Sequence, residues 1–152
     1  MRIFLLTLLA LMAAPAAASP VALSNNVFVE RITTDPQGNR RVTLEEPRVV
    51  APGDRLVFVL NYRNASGKPA EKFVVTNPMP AAVQFAEQGD GSAQLSVDGG
   101  KSWGNLGSLR VPTGDGGMRP ARAEDVTHIR WAFNAPIPAG AGGKLMFRGI
   151  VK

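Results

Sequence analysis

The chain has 152 residues, of which 45% are hydrophobic, and a formal net charge of +5 from 17 Lys and Arg against 12 Asp and Glu. This length suits one hydrophobic core and leaves little room for a second domain. The absence of Cys excludes disulfides, thiolate zinc sites and cysteine nucleophiles, and the dispersed positive residues make nucleic acid a poor candidate partner.

The first segment has the pattern of a secretion signal. Met1 and Arg2 give a positive start, residues 3–14 form an uncharged apolar run, and residues 16–18 are three alanines. That order is typical of a cleaved signal peptide, and the run is shorter than the ~20 residues that span a membrane. We therefore expect a signal peptide at residues 1–18, one domain at residues 19–152, no transmembrane segment, and a location in the periplasm, at the cell surface or outside the cell.

Short runs of alternating apolar and polar residues follow, separated by Gly, Pro, Asn and Asp. This spacing is typical of strands joined by turns, and helical periodicity is nearly absent. Strands are predicted over residues 27–32, 41–45, 56–62, 72–76, 82–85, 93–97, 125–133 and 144–151. The pattern predicts an all-β fold, an immunoglobulin-like antiparallel β-sandwich of about seven to eight strands.

Three local patterns make the prediction more specific. Residues 56–62 are apolar on both faces, which indicates a strand in the middle of a sheet. Asp98-Gly99-Gly100 predicts a hairpin that pairs residues 93–97 with residues 101–103. Residues 104–123 are rich in Gly and predict a long exposed loop around a short segment at 109–111.

The turn Ala51-Pro52-Gly53-Asp54 and the strand after it resemble the start of the "conserved repeat" domain of bacterial surface proteins, known as domain of unknown function eleven. The resemblance continues through residues 75–80 and 83–85 and closes with residues 129–131 and 138–140. It implies an immunoglobulin-like sandwich, export to the cell envelope, use as a spacer or adhesive module, and no known enzyme activity. The chain departs from the family in having a single copy without an anchoring segment, and in having Asn77 where an Asp is usual.

The only histidine, His128, lies on the outward side of a predicted strand beside Glu124 and Asp125. That neighbourhood is typical of a metal ligand or a general base. With no second His and no Cys, however, we expect no catalytic residue, no metal and no cofactor. Glu45 and Glu46 are adjacent on a strand and point to opposite faces, so they do not form a catalytic carboxylate pair.

Three Asp-Gly turns resemble fragments of calcium-binding loops, because carboxylates on Gly-rich turns can surround a hard cation. They begin at Asp90, Asp98 and Asp115. The regular acidic spacing of a calcium loop is missing, so ordinary turns are the favoured interpretation.

The leading functional prediction is an exported, non-enzymatic module with a structural or interaction role at the bacterial cell envelope. It would bind other envelope proteins or surface polymers through its sheet edges and loops. One alternative is a carbohydrate-binding domain that uses Trp103 and the loop at 104–123, since Tyr62 and Trp131 fall on inward faces and are predicted core. The other alternative is a hydrolase with an unrecognised site. The sequence leaves the partner and the oligomeric state open.

Overall fold

A computed structural model describes residues 20–89 and 91–152. The predicted signal peptide at residues 1–18 therefore lies outside the described residues, as does Asp90. The strands are β1 Val21–Thr34, β2 Arg40–Glu45, β3 Arg55–Asn64, β4 Val74–Pro78, β5 Val83–Gln88, β6 Gln94–Ser96, β7 Arg110–Pro112, β8 Met118–Pro120, β9 His128–Ala132 and β10 Gly142–Val151. Two 3₁₀ turns, Leu106–Ser108 and Ala123–Asp125, are the only helical elements in this part of the chain, and none of it forms a helix long and apolar enough to cross a membrane.

The strands pack in two antiparallel layers. Sheet 1 has five strands in the order β2-β1-β3-β10-β5, sheet 2 has three in the order β4-β9-β6, and β7 pairs with β8 as a short hairpin. The prediction of an all-β, immunoglobulin-like antiparallel sandwich is confirmed. The described chain has ten strands instead of seven to eight, because β7 and β8 are short and lie within the segment predicted to be a loop.

The core lies between the two sheets and is centred on aromatic residues. Phe147 of β10 is fully buried and stacks on Phe58 of β3 with the ring centroids 4.5 Å apart. Trp131 of β9 reaches across from sheet 2, and its ring centroid is 6.2 Å from that of Phe147. The predicted central position of residues 56–62 is confirmed, because β3 lies between β1 and β10 and its residues are buried on both faces.

The predicted hairpin after β6 is wrong in its pairing. Residues 101–103 form no strand, and only the isolated bridge between Leu95 and Gly104 joins the two sides. Asp98 instead closes the turn with its side chain, which accepts hydrogen bonds from Lys101 N at 3.0 Å and Ser102 N at 2.9 Å. β6 pairs with β9, so its backbone is satisfied by a strand distant in sequence.

The short segment predicted at 109–111 is present as β7, but an exposed loop does not describe all of residues 104–123. This segment contains a 3₁₀ turn and the β7–β8 hairpin, and it contributes Leu109, Val111 and Ala121 to the main core. The predicted strand at 72–76 is displaced: β4 runs from Val74 to Pro78, and Lys72 has a φ of +50°, which an extended strand cannot accommodate. β5 ends at Gln88, three residues beyond the end of the strand predicted at 82–85.

The outer face of sheet 1 carries an ion network across four strands. Glu30 of β1 lies 3.1 Å from Arg55 Nε of β3 and 2.9 Å from Arg148 Nε of β10. Glu87 of β5 joins both arginines, at 3.4 and 3.2 Å. The hydrogen bond from Arg148 is the main reason that the pKa of Glu30 lies below its ordinary value of 4.5.

We expect Glu30→Gln to lower the free energy of unfolding by about 1–3 kcal/mol near pH 7, since charge-assisted hydrogen bonds are lost. Glu30 has a depressed pKa in the folded state, so its contribution is present above pH 4.5 and is lost as the pH falls through the folded pKa. Urea unfolding should therefore show a difference in the free energy of unfolding between wild type and variant that is smaller at pH 3 than at pH 7. Glu71→Gln, at an exposed position, is the control, and an equal gap at both pH values would contradict the role of Glu30.

Candidate functional site

Within residues 20–89 and 91–152, no strand pairs with one edge of the N-terminal half of β10. β5 pairs with β10 only from Phe147 to Val151, and beyond that Gly89 N donates to Met146 O at 2.9 Å. The backbone groups of Met146 therefore point away from β3. Because alternate residues of a strand point their backbone groups the same way, those of Lys144 and Gly142 also face this side. No described strand pairs with them there.

A groove of about 480 Å³ runs beside this edge, between sheet 1 and the connection from β9 to β10. Tyr62, Trp131, Phe133, Ile137 and Leu145 form its apolar walls, and Lys144 and Ser92 lie at its rim. The groove therefore combines apolar side chains with an edge of free backbone donors and acceptors, which is the usual composition of a ligand site.

The wall of the groove depends on a glycine. Gly143 is the register partner of Tyr62, and a Cβ at position 143 would lie 2.6 Å from Tyr62 Oη. The missing side chain lets the Tyr62 ring lie across β10. There it contacts Phe133 edge to face, with the centroids 5.0 Å apart, and both rings also pack against Phe73.

Trp131 brings an unpaired polar group to the groove. Its side chain is almost entirely buried and lines the groove, yet its Nε1–H has no hydrogen-bond acceptor among the described residues. A buried donor without an acceptor costs about 1–3 kcal/mol.

Asn64 fixes the far rim of the groove. Its buried side-chain amide donates to Lys68 O at 2.8 Å and to Ile137 O at 2.9 Å, and its Oδ1 accepts from Ser66 N and Ser66 Oγ. These bonds tie the loop after β3 to the connection that precedes β10. The rim therefore has a defined position before any ligand binds.

Comparison with known proteins gives no independent assignment for this site. No family model, no curated protein and no solved structure matches the chain. The resemblance to the "conserved repeat" domain stays a prediction. The function of the groove has to be argued from its own chemistry.

Both acidic residues beside His128 in sequence form ion pairs with arginines, Asp125 with Arg119 and Glu124 with Arg122. Asp125 accepts two hydrogen bonds from Arg119 at 2.7 Å, which lowers the pKa of that carboxyl. His128 Nδ1 instead lies 3.1 Å from Thr127 Oγ1, which itself donates to Ser96 O. The Thr127 hydroxyl proton is therefore committed to a carbonyl. Among the described residues, no group of three or more His, Cys, Asp and Glu residues could hold a metal.

Trp103, the aromatic residue proposed for sugar binding, is half-buried. The Arg130 guanidinium lies 4.3 Å from the centroid of its ring, and the His128 ring meets it edge to face at 6.4 Å. One face of the indole is therefore occupied by a cation from β9. The carbohydrate-binding alternative stays a prediction, with only the opposite face available for stacking.

Two of the three Asp-Gly turns have carboxylates that are already engaged. Asp98 accepts hydrogen bonds from its own loop, including one from Ser102 Oγ at 2.6 Å, and these bonds hold its pKa well below the ordinary range. Asp115 accepts from Thr113 Oγ1 and from Gly117 N. Both arrangements are turn-closing side-chain bonds. The third candidate, Asp90, lies outside the described residues.

Sequence reasoning placed Tyr62 and Trp131 in the core but missed that they also line a groove. The edge beside them is visible only when β5 is known to end at Gln88, far away in the sequence from β10. The single local signal is the pair Gly142-Gly143 after a Pro-containing turn. Two glycines in a strand mark a close approach of other groups.

Proposed function

We propose that this chain is an exported, non-enzymatic interaction module of the bacterial cell envelope that binds an extended polypeptide segment of another envelope protein. The observation that carries the proposal is the open edge of β10 at Gly142 and Lys144, which lies beside the apolar groove. The predicted signal peptide and the resemblance to bacterial surface domains support the cellular setting.

The chemistry of the site favours a peptide. A strand that adds to β10 would exchange backbone hydrogen bonds with Lys144 and Gly142, as in other cases of strand addition. Since side chains alternate along a strand, every second one would enter the groove and contact Tyr62, Leu145 or Trp131.

A substitution at Lys144 tests this mode of binding. Lys144→Pro removes the N–H at the free edge without removing a bond to β3, and proline is tolerated at such edges. Lys144→Ala is the matched control, because it removes the charge and keeps the N–H. The expected loss of affinity for the Pro variant is about tenfold, the equivalent of one backbone hydrogen bond.

The full chain, with its own N-terminal segment, is expressed in a Gram-negative host, and the processed protein is recovered from the periplasm. It is then used to select from a phage library of random peptides. Enriched peptides should bind wild type and Lys144→Ala equally, bind Lys144→Pro more weakly, and protect the amides of Gly142 and Lys144 from hydrogen exchange. The absence of enrichment, or peptides that leave these amides unprotected, would contradict the proposal.

A further inference from the structure

A second unpaired edge lies at the other side of the molecule. β2 is the outermost strand of sheet 1, and all six of its residues are exposed. β3 pairs with β1 no further than Glu30, so residues 31–34 of β1 are paired with β2 alone. The β1–β2 hairpin therefore projects beyond the body of the sandwich.

The direction of the backbone groups on β2 follows from the turn that precedes it. Asp35 N donates to Asn39 O at 2.9 Å, so the odd-numbered residues of β2 point their backbone groups toward β1. By alternation, the N–H and C=O groups of Arg40, Val42 and Leu44 point away from the sheet. Such an edge can pair with another strand.

The exposed side chains beside this edge are apolar on one face. Ile32 and Val42 are register partners, and Leu44 follows on the same face. Their exposed fractions are 44%, 57% and 49%. A partner strand would therefore gain apolar contacts as well as backbone hydrogen bonds.

The sequence of β2 is complementary to itself in the antiparallel direction. When two copies are aligned about Thr43, Arg40 faces Glu46, Arg41 faces Glu45, and Val42 faces Leu44. This register also places the outward backbone groups of Val42 and Leu44 opposite each other, as a hydrogen-bonded pair requires. A shift by two residues would place Arg41 opposite Thr43 and lose both charge pairs.

The four charged residues of this alignment have no competing partners in the part of the chain that the structure describes. The ion pairs found there involve other residues, and none includes Arg40, Arg41, Glu45 or Glu46. We propose that a second copy of this chain pairs its β2 with β2 of the first. The two copies form one continuous ten-stranded sheet across a two-fold axis at Thr43.

The expected association is weak. An interface limited to about seven residues on each strand buries less than the roughly 1,200 Å² of a stable standard-size complex. The dimer therefore forms at high protein concentration and dissociates on dilution. The surface is separate from the β10 groove, so Lys144→Pro should leave dimer formation unchanged.

Charge exchange at positions 41 and 45 tests the register. Arg41→Glu places a second carboxylate opposite Glu45 of the other copy, and Glu45→Arg places two guanidinium groups together, so each single variant should dimerise at least about tenfold more weakly than wild type. The double variant R41E/E45R restores complementary charges and should dimerise like wild type. A mixture of the two single variants should form mixed dimers for the same reason. Lys101→Glu, at an exposed turn outside the edge, is the control for net charge.

Sedimentation equilibrium of the purified proteins measures the dimer dissociation constants of wild type and variants. The average molecular mass of wild type should rise from that of a monomer toward that of a dimer as the protein concentration increases from about 1 to 500 µM. This is the range expected for a small interface. Circular dichroism should give the wild-type spectrum for each variant, because all residues of β2 are exposed. A wild-type mass that stays monomeric over this range would overturn the proposal. So would single variants that dimerise like wild type, or a double variant that fails to recover.

Discussion

Phe147→Ala is expected to lower the free energy of unfolding by about 3–5 kcal/mol, the usual cost of removing a buried aromatic side chain. Phe147 is fully buried, stacks on Phe58 within sheet 1 and contacts Trp131 of sheet 2. The substitution therefore opens a cavity where the two layers meet. A loss of this size is a large share of the stability of a small domain, which is about 5–15 kcal/mol.

Urea and thermal unfolding measure the effect, and the melting temperature should fall by roughly 10–20 °C. Leu23→Ala is the matched control. Leu23 lies on β1 of the same sheet but is exposed, so its truncation should change the stability by no more than about 0.5 kcal/mol. If Phe147→Ala lowers the free energy of unfolding no more than Leu23→Ala does, Phe147 does not lie at the centre of the core.

The side-chain faces of the long strands could be predicted from the sequence, because alternation is a local property. In the last strand Leu145 and Phe147 alternate with Met146 and Arg148, and the structure places Leu145 and Phe147 in the core. The Ala51–Asp54 turn could also be predicted, because turn residues are a local signal in the sequence. In the structure Gly53 adopts a φ of +92°, which glycine accepts readily.

Strand pairing could not be predicted, because it depends on partners that are distant in sequence. Asp98-Gly99-Gly100 forms a turn, as predicted, but β6 pairs with β9 more than thirty residues later, so the residues after the turn remain outside any strand. A short segment at 109–111 was predicted in the Gly-rich stretch, but its local pattern did not indicate that Leu109 and Val111 reach the core.

The candidate sites were missed for a related reason. The groove exists because β5 ends before it covers Lys144 and because Gly143 makes room for Tyr62, two facts that involve three separate strands. Alternation places Val42 and Leu44 on one face of β2, but it gives no indication that this face is exposed. Exposure follows from the position of β2 at the edge of sheet 1.

Asn64→Ala is expected to lower the free energy of unfolding by about 2–3 kcal/mol and to make the rim of the groove less rigid. The substitution removes four hydrogen bonds, to Lys68, Ile137 and twice to Ser66, each worth about 0.5–1.5 kcal/mol. The loss of stability stays below the sum of the upper values, because Ile137 O still accepts from Ala70 N, and the Ser66 hydroxyl, freed from Asn64 Oδ1, can donate to Lys68 O. Asn77→Ala is the control, since the Asn77 amide donates only to Pro78 O.

Hydrogen exchange distinguishes a local effect of Asn64 on the groove from general destabilisation. Ala70 and Ile137 bond to each other through both backbone N–H groups, at 2.9 Å, directly beside the Asn64 amide. In Asn64→Ala the amides of Ala70 and Ile137 should exchange faster than expected from the loss of global stability alone. The exchange rates of the amides in the central strand β3 should change only as much as the global stability predicts. The groove should then bind selected peptides more weakly, because its rim is no longer held in place. Unchanged protection at Ala70 and Ile137 would show that the backbone alone fixes the rim.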